Sequence, residues 1–212
     1  EKVRAVMDEA APDSLLMGEV WEDASTKVAY SQRRKYLLGS ELHGVMNYPF
    51  RTALLAYLKG GNADDFRGAM ETLRENYPHD AFYSAMNFLG THDTPRILTM
   101  LRADQVPQGK DERASFRLSP EQRKKGLALV RLAALILFTF PGSPTVYYRD
   151  ELRMEGWEHP FNRGSYPRQG GDRDLLAWFT LLGRLRPRTP ALPPGAIRHV
   201  YTSRPLLPYT RA

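Results

Sequence analysis

The sequence predicts an α/β fold, four β/α units that amount to half of an eight-unit (β/α)8 barrel, followed by the start of a β domain. Three observations predict it. Short apolar segments of strand type alternate with helical stretches, the pattern of a parallel sheet with helices outside. Four such segments end in polar or aromatic side chains, and a barrel gathers its chemistry at the face where its strands end. An open doubly wound sheet is the competing architecture. After Pro187 the chain turns Pro-rich and β-like, which sets a boundary between residues 1–188 and 189–212.

Each element has a local reason. Lys2 to Ala11 reads as the end of a helix stopped near Pro12, and Leu15 to Val20 as a first apolar strand. Trp21 to Leu38 is a polar loop. Gly44 to Asn47 is a second strand, followed by a helix from about Pro49 to Leu58. Asn62 to Asn76 is helical, with Asn62 as N-cap and Asp64 and Asp65 in its first turn. Ala85 to Gly90 is the third strand, Pro95 to Leu101 a short helix, and Arg102 to Leu118 a long polar loop. Ser119-Pro120-Glu121-Gln122 opens the clearest helix with a capping Ser, an N1 proline and an N3 glutamine. That helix ends at Pro141-Gly142, Thr145 to Tyr148 is the fourth strand, and an amphipathic helix runs from about Asp172 to Leu185. Ile197 to Thr202 and Leu206 to Thr210 are the β-like pieces of the tail.

Composition excludes several functions. With no cysteine in 212 residues, disulfides and thiolate chemistry are ruled out. The five histidines show no short metal-ligand spacing, and there is no Gly-rich phosphate loop. The net charge of +6 comes from scattered arginines, and Gln32 to Lys35 is too short a cluster for a nucleic-acid surface. The longest apolar run, Leu127 to Phe140, is interrupted by Arg131 and falls short of the ~20 residues a bilayer requires. A cytoplasmic location is expected, with the true N-terminus lying upstream, since residue 1 is Glu rather than Met.

Two strand ends carry the chemistry. Ser14 to Ser25 runs apolar and then presents Glu19 and Trp21, and Phe88 to Arg96 ends its apolar run in His92-Asp93. A lone Glu at a strand exit is by default a solvated carboxylate, but an aromatic neighbour supplies the setting a general acid needs. Asp93 has a competing reading as a helix N-cap before Thr94-Pro95. Glycoside hydrolysis passes through an oxocarbenium-like transition state and requires a carboxylate opposite the acid, and Asp93 fits that need with His92 as a hydrogen-bond donor. Asn47-Tyr48, Tyr147-Tyr148, Phe161-Asn162 and Tyr166 suit sugar faces and hydroxyls, although each alone is more often a packing residue. Asp150 and Glu151 are by default loop charges.

The segments GEVWEDAS, VMNYPFR, FLGTHDTPRIL and FPGSPTVYYRDE resemble the α-amylase family (glycoside hydrolase family 13), in particular its neopullulanase, cyclomaltodextrinase and maltogenic amylase branch. The resemblance covers nearly the whole chain and implies the C-terminal half of a TIM (β/α)8 barrel, about strands 5–8, and a retaining glycosidase for α-glucans or maltooligosaccharides, with transglycosylation or a non-catalytic glucan-binding role as alternatives. It implies that Glu19 is the general acid/base and Asp93 the carboxylate stabilising the transition state. His92, Trp21, Tyr48, Tyr148 and Arg96 are the substrate-binding set it implies, Arg96 as an ion-pair partner near the site. It further implies no cofactor beyond a structural calcium, for which no loop is legible, no nucleic-acid or membrane partner, and a homodimer formed through an N-terminal part outside this chain.

Departures accompany the match. The family's nucleophile, an aspartate in Arg-x-Asp at a strand end, should precede Glu19, yet only Glu1, Asp8, Glu9 and Asp13 do so, none in that context. The expectation is a C-terminal portion that is inactive alone. Arg149 stands where the pattern has Gly, Arg153 where it has a small residue, and His43 where an acidic residue is frequent.

Overall fold

The computed structural model describes residues 2–167, 170–193, 195–200 and 206–212. The fold is α/β, in two compact units. The first comprises Glu1–Asn87, Pro141–Pro144 and Ala191–Ala212; the second comprises Phe88–Phe140 and Thr145–Pro190.

The first unit opens with α1 (Lys2–Ala10), which buries no residue, and the short β1 (Met17–Gly18). The expected polar loop after Trp21 contains a hairpin, β2 (Val28–Ala29) paired antiparallel with β3 (Gln32–Arg33). Its turn residues Tyr30 and Ser31 both have positive φ, 53° and 60°. Hairpin turns of that hand normally take Asn or Gly, so the sequence carries no signal for this one. β4 (Gly44–Val45) pairs in parallel with β1, and Met46 bridges in parallel to Met86. His43 extends the ladder with its side chain: the Leu16 N–H donates to His43 Nδ1 at 2.9 Å while the His43 N–H donates to Leu16 O.

Next come α2 (Tyr48–Leu58) and α3 (Ala63–Asn76). Asn47 caps α2 through Phe50 N–H, and Asn62 caps α3 through Asp64 N–H, as its sequence position predicts. Their facing sides bury Phe50, Leu54, Phe66 and Met70 almost completely, each worth about 1.5–3 kcal/mol of transfer free energy. A short α4 (His79–Ser84), which no side chain caps, precedes β5 (Met86–Phe88). Here a buried amide relay ties together β4, β5 and the segment that enters the next strand. Asn47 Nδ2 donates to Asn87 Oδ1 at 2.8 Å, and Asn87 Nδ2 donates to Pro141 O at 2.6 Å. Gly142 follows at φ 106°, where a Cβ would lie 2.6 Å from Ala85 O and 2.7 Å from Asn87 Nδ2; only glycine fits.

The second unit is helical. α5 (Ile97–Arg102) packs against the long α7 (Pro120–Thr139), which in turn packs against α8 (Arg173–Arg188). The predicted capping box of α7 forms in full: Gln122 N–H donates to Ser119 Oγ, and the Gln122 side chain accepts from Ser119 N–H. Asp172 caps α8, which ends three residues past the expected Leu185 and takes Pro187 into its last turn. The long polar loop before α7 contains a further helix, α6 (Lys110–Ser115), with no buried residue and no side-chain cap. The fourth strand, β6 (Ser143–Thr145), lies earlier than Thr145 to Tyr148, so Tyr147 and Tyr148 fall in the loop beyond it. A single 3-10 turn, Asp150–Leu152, is flanked by Arg149 and Arg153, both left-handed at φ 71° and 61°.

The tail returns to the first unit as β7 (Ile197–His199), antiparallel to β8 (Tyr209–Arg211). Tyr201 and Thr202, expected to continue the first tail strand, lie outside the described residues.

Candidate active site

Glu19 leaves β1 into solvent, and the side chain that meets it comes from the first turn of α2. Tyr48 is buried to 3% exposure and its hydroxyl donates to Glu19 Oε1 at 2.9 Å. Capping by Asn47 fixes this turn and so aims Tyr48. Trp21 stacks on the Tyr48 ring, centroids 4.1 Å apart and planes inclined by 18°, yet remains 53% exposed. Its loop is tied down behind it. Asp23 accepts from Ser25 N–H, Ser25 Oγ and Asn76 Nδ2, and Ala24 N–H donates to the Tyr77 hydroxyl at 3.0 Å. Burial pushes the Tyr77 hydroxyl up to about 12, so it stays a neutral anchor throughout the working range of pH.

The His-Asp segment is built differently, within the second unit. His92 and Asp93 project outward with Nε2 and Oδ2 3.2 Å apart, and Arg163 lies 3.5 Å from Asp93 Oδ1. Beneath them the backbone is held by buried polar groups. Thr91 N–H donates to Thr94 Oγ1, and Asp93 N–H to Thr91 Oγ1. Asp93 therefore caps no helix; the N-cap position of α5 is Arg96. Asn162 Nδ2 faces the carbonyls of Thr91, His92 and Thr94 at 3.3, 2.8 and 2.9 Å.

Arg96 is completely buried. Its Nε donates to Asn162 O at 2.8 Å, and its Nη1 donates to Tyr148 O and to Asp150 Oδ1, the latter at 3.1 Å. The guanidinium carbon lies 4.1 Å from the Tyr147 ring centroid and 4.7 Å from that of Tyr148. Arg96 thus reaches no solvent-borne ligand and serves to position the tyrosines. Burial pushes the Tyr147 hydroxyl up, and the Arg96 cation opposes that shift. Tyr148 is 37% exposed, with its hydroxyl donating to Gly164 O.

Two readings from the sequence are corrected here. Asp150, by default a loop charge, is 2% exposed and paired to Arg96; Gly90 admits it, since a Cβ there would lie 2.9 Å from Asp150 Oδ2. Asn162, suited in sequence to sugar hydroxyls, is fully buried and bonds backbone carbonyls instead. Neither position carries a sequence signal for burial, because each is a single polar residue in an irregular segment, Asp150 after Arg149 and Asn162 after Phe161. Among the described residues no cluster of three or more His, Cys, Asp or Glu side chains could hold a metal, and no helix is long and apolar enough to cross a membrane.

Known proteins resemble this chain along most of its length. The family model described as "Alpha amylase, catalytic domain" matches residues 1–180. Amylopullulanase from Thermoanaerobacter thermohydrosulfuricus is 29% identical over 94% of this chain and 13% of its own length. Neopullulanase 2 from Thermoactinomyces vulgaris is 30% identical over 92% of the chain and 29% of its own length. The chain therefore spans less than a third of either relative. Among solved structures, cyclic α-maltosyl-(1→6)-maltose hydrolase from Arthrobacter globiformis, in complex with maltose, superimposes at a TM-score of 0.81 and 23% identity. That match covers all of this chain and 42% of the hydrolase.

Proposed function

This chain belongs to the α-amylase catalytic-domain family, and on that premise we propose that it supplies the acid/base and the stabilising carboxylate of a retaining hydrolase for α-1,4-linked glucose oligomers. The observation that carries the reading is Glu19 at a strand end, hydrogen-bonded by the buried Tyr48 under an exposed, stacked Trp21. In this reading Glu19 protonates the leaving glycosidic oxygen while an aspartate outside residues 1–212 attacks the anomeric carbon. Glu19 then takes a proton from the water that resolves the glycosyl-enzyme. Asp93 and His92 bind hydroxyls more tightly as the ring distorts, Tyr48 and Trp21 offer a sugar-binding surface beside Glu19, and Tyr148, positioned by Arg96, offers another in the second unit. The occurrence of maltose with a neighbour of the same fold is in keeping with such a substrate.

The same reading takes residues 1–188 as strands 5–8 of a barrel and 189–212 as the start of a β domain. Support comes from the first unit, where hydrogen bonds join β1 to β4, Met46 to Met86 and Ala85 to Ser143 in chain order. The antiparallel β7–β8 pair supports the tail. Transglycosylation is the second reading, favoured by the exposed face of Trp21, an apolar platform for a sugar acceptor. Glu19→Gln in the complete protein tests the proposal. Hydrolysis of maltooligosaccharides should fall ~10²–10⁴-fold, the range for a lost general acid; near-normal turnover would overturn the assignment, and product analysis at high substrate separates transfer from hydrolysis.

A further inference from the structure

A cavity of 460 Å³ opens between α2 and α3 with Trp21 as one of its walls, within the size range of small-molecule sites. Its lining repeats at helical spacing. Ala53, Ala56 and Tyr57 come from α2, Asp65 and Ala69 from α3, and Gly61 from the connection. Residues three and four apart share a helix face, so the small side chains leave a trough with aromatic walls. Gly61 is required by the backbone, since a Cβ there would lie 2.7 Å from Ala56 O.

Three features define the occupant. Trp21 and Tyr57 offer ring surface, which the apolar face of a pyranose covers. Asp65 is the one charged side chain of the lining, is exposed, and makes no hydrogen bond or ion pair with the described residues. A carboxylate with no cation beside it repels anions and accepts hydrogen bonds from hydroxyls. Trp21 also links the trough to the candidate acid, since it stacks on Tyr48, whose hydroxyl bonds the Glu19 carboxylate.

We propose that the α2–α3 trough is a glucan-binding subsite in which a chain engaged at Glu19 continues past Trp21 and lays further glucose units between Tyr57 and Asp65. The inference rests on the α-glucan reading above. It predicts a preference for longer oligomers that Glu19 and Trp21 alone would not give.

The test uses the complete protein with maltotriose and maltoheptaose. Ala56→Trp fills the trough from an exposed helical position, and Asp65→Ala removes the acceptor. In both variants the ratio of kcat/KM for maltoheptaose over maltotriose should drop about tenfold, through KM, as expected for losing a contact worth about 1.4 kcal/mol. An unchanged ratio in a variant whose melt matches the parent overturns the proposal, and Asp65→Ala decides if the tryptophan variant fails to fold. Calorimetric titration of maltoheptaose into Glu19→Gln separates this test from the catalytic one. Weaker binding on adding Ala56→Trp supports the subsite even if Glu19→Gln keeps its turnover and sinks the hydrolase reading. Equal binding with and without Ala56→Trp overturns the subsite whatever Glu19 does.

Discussion

Around Glu19 the decisive contacts are few and face solvent: one hydrogen bond from Tyr48 and one ring stack onto an exposed Trp21. Around Asp93 they are many and buried, with Arg96, Asp150, Asn162, Thr91 and Thr94 joined beneath a segment whose own side chains are exposed. The first cluster fixes a side chain through another side chain. The second fixes the backbone and lets the side chains follow. A buried polar lattice is costly to disturb because each lost partner strands a desolvated group, whereas a surface contact can be lost at little cost in stability. Mutations near Asp93 should therefore register as unfolding, and mutations near Glu19 as lost function.

Arg96→Leu is the strongest way to break the contrast. It takes the cation from a carboxylate that is 2% exposed, and breaking a buried pair costs about 3–5 kcal/mol; denaturant unfolding measures it, and a loss below about 1 kcal/mol would contradict the lattice. Asn162→Ala comes next, at about 1–3 kcal/mol, since it strips the donor from the loop carbonyls. Tyr48→Phe sharpens the other side. It keeps the stack and removes the bond to Glu19, so the melt should shift little while kcat/KM falls by up to about tenfold, the worth of one hydrogen bond.

Acidification acts on the first unit. His199 on β7 has a side chain 6% exposed, and burial lowers its affinity for protons, with Arg67 and Arg74 adding to the shift and Glu71 opposing it. In the unfolded chain a histidine takes its proton below about pH 6.5, and here the folded one does so only at lower pH. Stability is thus full above about pH 6.5 and declines as pH falls toward the folded value. Melting temperatures from about pH 7.5 to about 5.5 should show the decline, and His199→Gln should flatten it. The smallest effect expected is from Arg153→Gly, which relieves a left-handed backbone at φ 61° and should raise stability by less than about 1 kcal/mol once unfolded-state entropy is counted.

What the sequence revealed follows from where local rules act alone. The Ser119–Gln122 box and the Asn62 cap were legible because the groups that satisfy each other lie within three residues. The hairpin at Tyr30-Ser31 was not, since neither residue belongs to the types that favour its turn. α4 and α6 lack side-chain caps and so left no boundary signal. At the site, the exposed Glu19, Trp21, His92 and Asp93 were readable as polar groups interrupting apolar runs. Asp150 and Asn162 were not, because their partner Arg96 lies more than fifty residues away and only tertiary structure brings them to it.

The relay from Asn47 through Asn87 to the Pro141 carbonyl has a consequence for how such a chain can change. It ties the exit of β4, the middle of β5 and the entry of β6 to one another with amide groups and a glycine, none of which faces solvent. The segments beyond the three strands can be lengthened, shortened or exchanged without retuning the strands themselves. The relay is thus a collar with replaceable fittings, and it leaves ligand preference free to drift while the frame stays still.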